Sequence, residues 1–391
     1  MRQFFNSPIF KGVIRPIGQI IVFILGTGLV LSVFMMLFAL IARGSAVDLA
    51  LQQTNNVDIF TYTLMNLPQV LIDGVVLGFV YAAIALGYTM VYGVLEFINF
   101  AHSEIFAIGA FVGVEFLIAL NNAGVLAGAS VLASYGWLVV AILCGMAASG
   151  TAAVIVERIA YRPLRNAPRL VPLISAIGVS FFLQDLIRLV ESLTTGQFNR
   201  IMPVFGNFDN RLPLFTVALG NTPINVDVSL KSVWVMAAAL LMLVGLNYLV
   251  NVTKVGKAIR AVAQSQSSAN LMGINVNRII SLTFLVGGAL GGAAGVLYAL
   301  KFTRIDPYVG FFPGIKAFTA AVMGGIGNLT GALLGGMVLG MLETFAGSYL
   351  SVFTMGAAGA EYKDILAFAI LIMVLIFRPA GLLGEQVGQK A

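Results

Sequence analysis

Long apolar runs, separated by short and mostly basic loops, constrain this chain more than any other feature. About 20 consecutive apolar residues span the hydrocarbon core of a bilayer. On that ruler the sequence divides into ten segments, near 17–41, 68–92, 98–120, 132–156, 170–191, 230–250, 279–302, 314–327, 329–353 and 362–377. The expected fold is all-α, a polytopic transmembrane helical bundle of about ten membrane segments. The eighth is too short to cross comfortably and reads as re-entrant or broken, which is tolerated where protein or water covers the backbone. Only 10% of the residues are charged and 59% are hydrophobic, whereas a soluble domain is about a quarter charged. The first run, Ile17 to Ile41, exceeds the roughly 7–15 apolar residues of a secretory signal and reads as a retained span.

Basic residues orient such a bundle. Arg2, Lys11 and Arg15 precede the first span, and Arg158, Arg162, Arg165 and Arg169 separate the fourth and fifth. Lys254, Lys257, Arg260 and Arg278 separate the sixth and seventh, and Arg378 follows the last. With ten spans all four clusters fall on one face, which is therefore cytoplasmic together with both termini. Loops 43–66, 121–131 and 192–229 then face outward. The last carries Pro203, Pro213 and Pro223 and reads as an irregular extracytoplasmic cap. The formal charge of +6 is explained by these loops and implies no nucleic-acid partner. A single cysteine, Cys144, excludes an intrachain disulfide and a cysteine-cluster metal site.

Several constellations stand out. Gly287, Gly291 and Gly295 recur every fourth residue, as do Gly327, Gly331 and Gly335. Residues four apart share a helix face, and a face without side chains admits another helix closely. Such faces serve static packing, or slide during gating. Asn99-Phe100-Ala101-His102-Ser103-Glu104 places an amide, the only histidine, a hydroxyl and a carboxylate at the mouth of an apolar segment. These groups either pin a helix end or line a pathway for a polar solute. One histidine is too few for a metal site. Asp185 and Arg188 are spaced for an intrahelical ion pair. Asp73, Glu96 and Glu115 are scattered over different segments and establish no proton relay. Val255-Gly256-Lys257-Ala258 lacks the hydroxyl residue and upstream glycine of a phosphate loop. Any ATP chemistry therefore belongs to a separate chain, and the polar basic stretch from Lys254 to Arg278 reads as that partner's docking surface.

The blocks Gly87–Phe111, Val156–Asp185, Gly256–Phe284 and Phe318–Gly336 resemble the membrane permeases of branched-chain amino-acid ABC importers, over roughly residues 68–385. The resemblance implies a transport subunit, not an enzyme, in a bacterial inner membrane. It would form its pathway for branched-chain or other neutral amino acids as a heterodimer with a second homologous permease subunit. Two cytoplasmic ATPase subunits would bind ATP and Mg, an extracytoplasmic solute-binding protein would deliver the amino-acid substrate, and this chain would carry no cofactor of its own. Membrane lipid surrounds it. Residues 67–391 would be the permease domain, with an extracytoplasmic loop at 192–229 and a coupling loop at 254–278. Residues 1–66 would be an extension with an extra transmembrane helix and outer loop. In the coupling loop Lys257, Arg260, Gln264, Ser267, Ser268, Ala269 and Gly273 are the candidate contacts. Ser267-Ser268-Ala269 and Gly273 keep the spacing of the importer EAA-x-x-x-G loop, with Ser267 in place of the acid. Asn99, His102, Ser103 and Glu104 are the candidate pathway residues, with Ser103 where the family has glycine. A urea or short-amide importer, a simple-sugar permease and a stand-alone proton-coupled transporter are the alternatives.

Overall fold

The structure is a computed structural model that describes residues 15–55, 57–95, 97–165, 167–168, 170–219, 222–325, 327–354, 360–378 and 380–384. Arg2, Lys11, Glu96 and Arg169 lie outside the described residues. Helix α1 (Arg15–Ile41) and the short α2 (Ala46–Asn55) precede α3 (Ile59–Leu95), which runs for 37 residues. Then come α4 (His102–Asn122), α5 (Val131–Val156), α6 (Leu170–Thr194) and α7 (Leu230–Val252). Two short helices, α8 (Lys254–Gln264) and α9 (Gln266–Leu271), lead into α10 (Val276–Phe302). Three more follow: α11 (Phe311–Gly324), α12 (Leu329–Phe353) and α13 (Lys363–Phe377). Among the described residues 8 helices are long and apolar enough to cross a membrane. Helices α11 and α13 are shorter, at 14 and 15 residues. The chain is thus an all-α, multi-pass membrane bundle.

Small residues set the packing. Lipid tails are as apolar as leucine, so helices associate in a bilayer through close van der Waals contact. A Cβ added at Gly109 of α4 would strike the Cα of Gly292 of α10, and one at Gly292 would strike the Gly145 carbonyl of α5. Helices α3 and α12 meet the same way: a Cβ at Gly78 would lie 2.8 Å from Met337 Cα, and one at Gly336 2.7 Å from Ala82 N. Helices α11 and α12 clasp through Gly324, Gly331 and Gly335. Gly327 does not belong to that face. It lies in the turn before α12 with φ 88°, and Asn328 caps the helix by accepting from Gly331 N at 3.0 Å. Fourth-residue spacing counted straight through this turn.

Three loop expectations change. The helix expected from residue 68 starts at Ile59, with Pro68 inside it. Its start is held by Asp48 of α2, whose Oδ1 accepts from Ile59 N at 2.7 Å and Oδ2 from Gly44 N at 2.9 Å. Segment 192–229 is irregular only in its first half, among the described residues. Strands β2 (Arg211–Leu219) and β3 (Thr222–Ser229) form an antiparallel hairpin with an irregularity between Pro213 and Phe215, where a residue lacking an N–H is tolerated. The Gln69 side chain of α3 bonds the Asp227 backbone in both directions, at 3.2 and 3.0 Å. Strands β1 (Arg200–Ile201) and β4 (Arg304–Ile305) pair antiparallel. Asp185 and Arg188 form no ion pair among the described residues; Arg188 instead faces the Tyr308 hydroxyl at 3.4 Å and the Phe198 ring.

Amide donation from Gly44 and Ile59 holds the Asp48 carboxyl below its ordinary value. Its stabilising contribution is present above the unfolded carboxyl range and is lost as pH falls through the lowered folded value. Asp48→Ala is expected to cost about 1–3 kcal/mol, because the buried Ile59 amide loses its acceptor and the more exposed Gly44 amide is released to water. Hydrogen exchange confined to residues 43–60 reads this out; unchanged protection there would refute the role.

Candidate translocation site and coupling loop

Helix α4 starts deep inside the bundle. Its first residue, His102, packs against Gly291, fifteen residues into α10 and so ~22 Å from that helix's start. The imidazole fills a slot made by two missing side chains: a Cβ at Gly87 would strike it, and one at Gly291 would lie 3.0 Å from Cε1. Tyr88 closes the slot edge-on at 4.6 Å. Asn99 Oδ1 accepts from the Tyr161 hydroxyl at 2.6 Å. Ser103 Oγ donates to the Phe100 carbonyl at 2.7 Å, and its Cβ lies against the open face of Gly314. Glu104 is 1% exposed and lies beside Gly310, at the start of α11.

All four candidate pathway residues are buried, and three keep an orphaned polar atom. Thr89 Oγ1, Asn99 Nδ2, His102 Nε2 and Glu104 Oε2 have no hydrogen-bond partner among the described residues. Buried polar atoms are nearly always satisfied, so a group of exceptions calls for an explanation. Thr89 and Asn99 share a small gap of ≈ 10 Å³ with Tyr88, Tyr92 and Phe318. The seam is polar, closed and unsatisfied. Among the described residues no three His, Cys, Asp or Glu side chains gather as metal ligands.

Tyr161 leads from this seam to the basic end of the bundle. It closes a π-helical turn, Glu157–Tyr161, that begins with the fully buried Glu157. Arg162 donates to Glu157 at 3.2 and 3.0 Å, Arg165 pairs with it as well, and Ser281 of α10 donates at 2.6 Å. Arg165 also donates to Asn277 at 2.6 Å. The two basic clusters of the middle of the chain thus meet at one end.

That end carries the expected coupling loop, folded as α8 and α9. Thr253 caps α8 by accepting from Gly256 N at 3.0 Å, and Ser265 caps α9 by accepting from Ser268 N at 3.2 Å. Ile259, Val262 and Ala269 are buried under the loop. Lys257, Gln264, Ser267 and Ser268 are exposed. Arg260 is exposed but turns back to the Val250 carbonyl, capping the end of α7. Gly273 ends α9 with φ 81° and open space where a Cβ would be, and Ile274 N closes the turn on Ala269 O at 3.0 Å. Leu271 and Met272 project from the tip, 87% and 82% exposed.

A buried ion network escaped the sequence reading. Glu343 of α12, 2% exposed, accepts from Lys316 of α11 at 2.9 Å, faces Lys363 at 2.9 Å and accepts from the Tyr81 hydroxyl at 2.6 Å. Asp364 Oδ1 lies 2.8 Å from Lys316 Nζ without hydrogen-bond geometry, an ion pair by distance alone. A lone lysine in one apolar segment and a lone glutamate in the next were the available signal. The acids considered as a relay are partnered separately: Asp73 with Gln69, Glu115 with Arg200.

Apolar spans around a buried polar seam, with a structured basic loop at one end, define a membrane permease. The chain belongs to the family described as branched-chain amino acid transport system / permease component, whose profile matches residues 70–375. Its members are transport components rather than enzymes. The chain is 39% identical over 341 residues to the high-affinity branched-chain amino acid transport system permease protein LivH of Escherichia coli K12, covering 82% of this chain and 97% of the relative. It is 40% identical over 328 residues to BraD of Pseudomonas aeruginosa, with the same coverage. A weaker likeness, 27% over 150 residues, links 37% of the chain to 44% of the ribose import permease protein RbsC of Escherichia coli K12. No solved structure matches.

Lys316→Met leaves Glu343 and Asp364 with one ammonium between them. It is expected to cost about 2–3 kcal/mol, less than breaking a fully enclosed pair because Lys363 and Asp364 reach solvent. Lys316→Arg should retain most of that. Thermal unfolding of the purified protein in detergent decides; equal midpoints for wild type and Lys316→Met would remove the network from the account.

Proposed function

We propose that this chain is the permease subunit of an ATP-driven, binding-protein-dependent importer of branched-chain or other neutral amino acids. The observation that carries the reading is the likeness to LivH and BraD over 97% of their length. The buried seam is compatible with it, since a neutral solute needs few fixed charges along its route. The pathway forms with a second homologous permease subunit as a heterodimer. Two cytoplasmic ATPases hold ATP and Mg, and a solute-binding protein docks at the opposite face in a bacterial inner membrane. Both termini and the α8–α9 loop lie on the cytoplasmic side, and the β2–β3 hairpin is part of the outer cap. Residues 1–66 are an extension that precedes the permease domain, 67–391.

Asn99, His102, Ser103 and Glu104 line the pathway once the bundle opens, when the orphaned atoms of Asn99, His102 and Glu104 meet water or solute. Gly287, Gly291 and Gly295 on α10 and Gly331 and Gly335 on α12 are the faces across which opening occurs. The ATPases grip the tip at Leu271 and Met272, with Lys257, Gln264, Ser267 and Ser268 beside it. Nucleotide binding can drive opening only if the nucleotide states differ in affinity for the two permease conformations. Motion of the loop reaches the seam through Asn277, Arg165, Glu157 and Tyr161.

Membrane vesicles carrying the whole assembly should accumulate leucine, isoleucine and valine only with ATP and the binding protein. Accumulation of ribose or urea in their place would overturn the substrate reading. Gly273→Val forces a β-branched residue into left-handed backbone at the tip. It is expected to lower uptake by about tenfold or more, equivalent to 1.4 kcal/mol of lost coupling, with normal amounts in the membrane. Undiminished uptake would refute the coupling role.

A further inference from the structure

We propose that the cleft between β4 and the start of α11 holds the transported amino acid as its zwitterion, with Arg304 receiving the carboxylate and Asp306 the ammonium. This rests on the amino-acid reading above. The chain leaves α10 at Thr303, the sole non-glycine residue with positive φ (67°) among the described residues. It reaches Gly310 beside Ser103 and Glu104, in the first turn of α4. Segment 303–310 therefore descends roughly 15 Å into the bundle without forming a helix. Such backbone is tolerated at membrane depth only where protein buries it or a cavity lies against it. The cavity is there, ≈ 570 Å³ in volume, within the roughly 300–1,000 Å³ of small-molecule sites.

The lining matches a zwitterion with an apolar side chain. Arg304 is exposed and has no ion-pair partner among the described residues. Arg188, the other guanidinium at the cleft, is engaged by Tyr308 and Phe198. Asp306 Oδ1 accepts from Tyr308 N at 2.8 Å, which fixes the carboxylate and leaves Oδ2 for an ammonium. Phe198, Tyr298, Tyr308 and Phe312 supply apolar walls. The orphaned Glu104 Oε2 lies under Gly310, the next acceptor along an ammonium's way inward. A neutral sugar would leave both Arg304 and Asp306 without a complementary charge.

The test uses the purified full-length chain in lipid nanodiscs, with Cys144→Ser and a reporter substitution Asn199→Cys at the rim of the cleft. Millimolar leucine should slow maleimide labelling several-fold, whereas leucinamide and isocaproate, each lacking one charge, should slow it far less. Arg304→Gln and Asp306→Asn should each weaken leucine protection by about tenfold, the cost of one charge-assisted hydrogen bond. Arg304→Lys and Asp306→Glu should retain part of it, which separates charge recognition from misfolding. Leucine uptake by vesicles carrying the unaltered assembly distinguishes the two readings. Uptake without protection, or equal protection by leucine and both analogues, overturns this site and leaves the transport reading standing. Absence of uptake overturns the transport reading itself.

Discussion

The approach of α10 to α4 and α5 is the constraint on which the rest of the bundle depends. At Gly109, Gly145 and Gly292 backbone meets backbone, and Ser149 Oγ donates to the Ile105 carbonyl at 2.7 Å across the same junction. No hydrophobic force draws helices together in lipid, so this contact supplies its own dispersion and hydrogen bonding. It also places the first turn of α4 at depth. Once His102 sits against Gly291, Asn99 is carried to Tyr161, and Glu104 to the start of α11. A polar seam inside an apolar bundle follows from helices that can approach this closely.

The spans were legible because the signal is local. Twenty apolar residues and their flanking charges need no knowledge of the partner helix, and the two middle basic clusters meet through Arg165 and Asn277. The shape of the 254–278 loop is also set locally: Thr253 and Ser265 cap its two short helices and Gly273 closes the turn after them. What escaped depends on distant partners. Glu343 meets Tyr81 across 262 positions of sequence, so no spacing rule links them. Gln69 and Asp227, 158 apart, convert a proline-containing loop into a docked hairpin. Arg260 looked like a free cation by composition, yet the end of α7 takes its charge.

The buried seam and the basic end form one continuous set of contacts. Arg165 touches Asn277 at the root of the coupling loop, binds Glu157, and the turn that holds Glu157 presents Tyr161 to Asn99. A π-helical turn continues α5 here, and such turns recur at functional positions. Here the turn and the short stretch after it aim two arginines at Glu157 and α10 and a tyrosine at Asn99, just before α4.

The 14-residue α11 bears on how the protein is made. A segment that short, carrying Lys316, gains too little from lipid to enter the bilayer alone, because a central lysine costs about 2.5–3.5 kcal/mol on insertion scales. Its counter-charge, Glu343, is translated only with the following helix. The two halves of the hairpin, clasped at Gly324 and Gly331, must therefore be admitted together, with the ion pair formed before either side chain is left facing hydrocarbon. The order of synthesis becomes part of the fold: until α12 has emerged, Lys316 has no Glu343 to meet it.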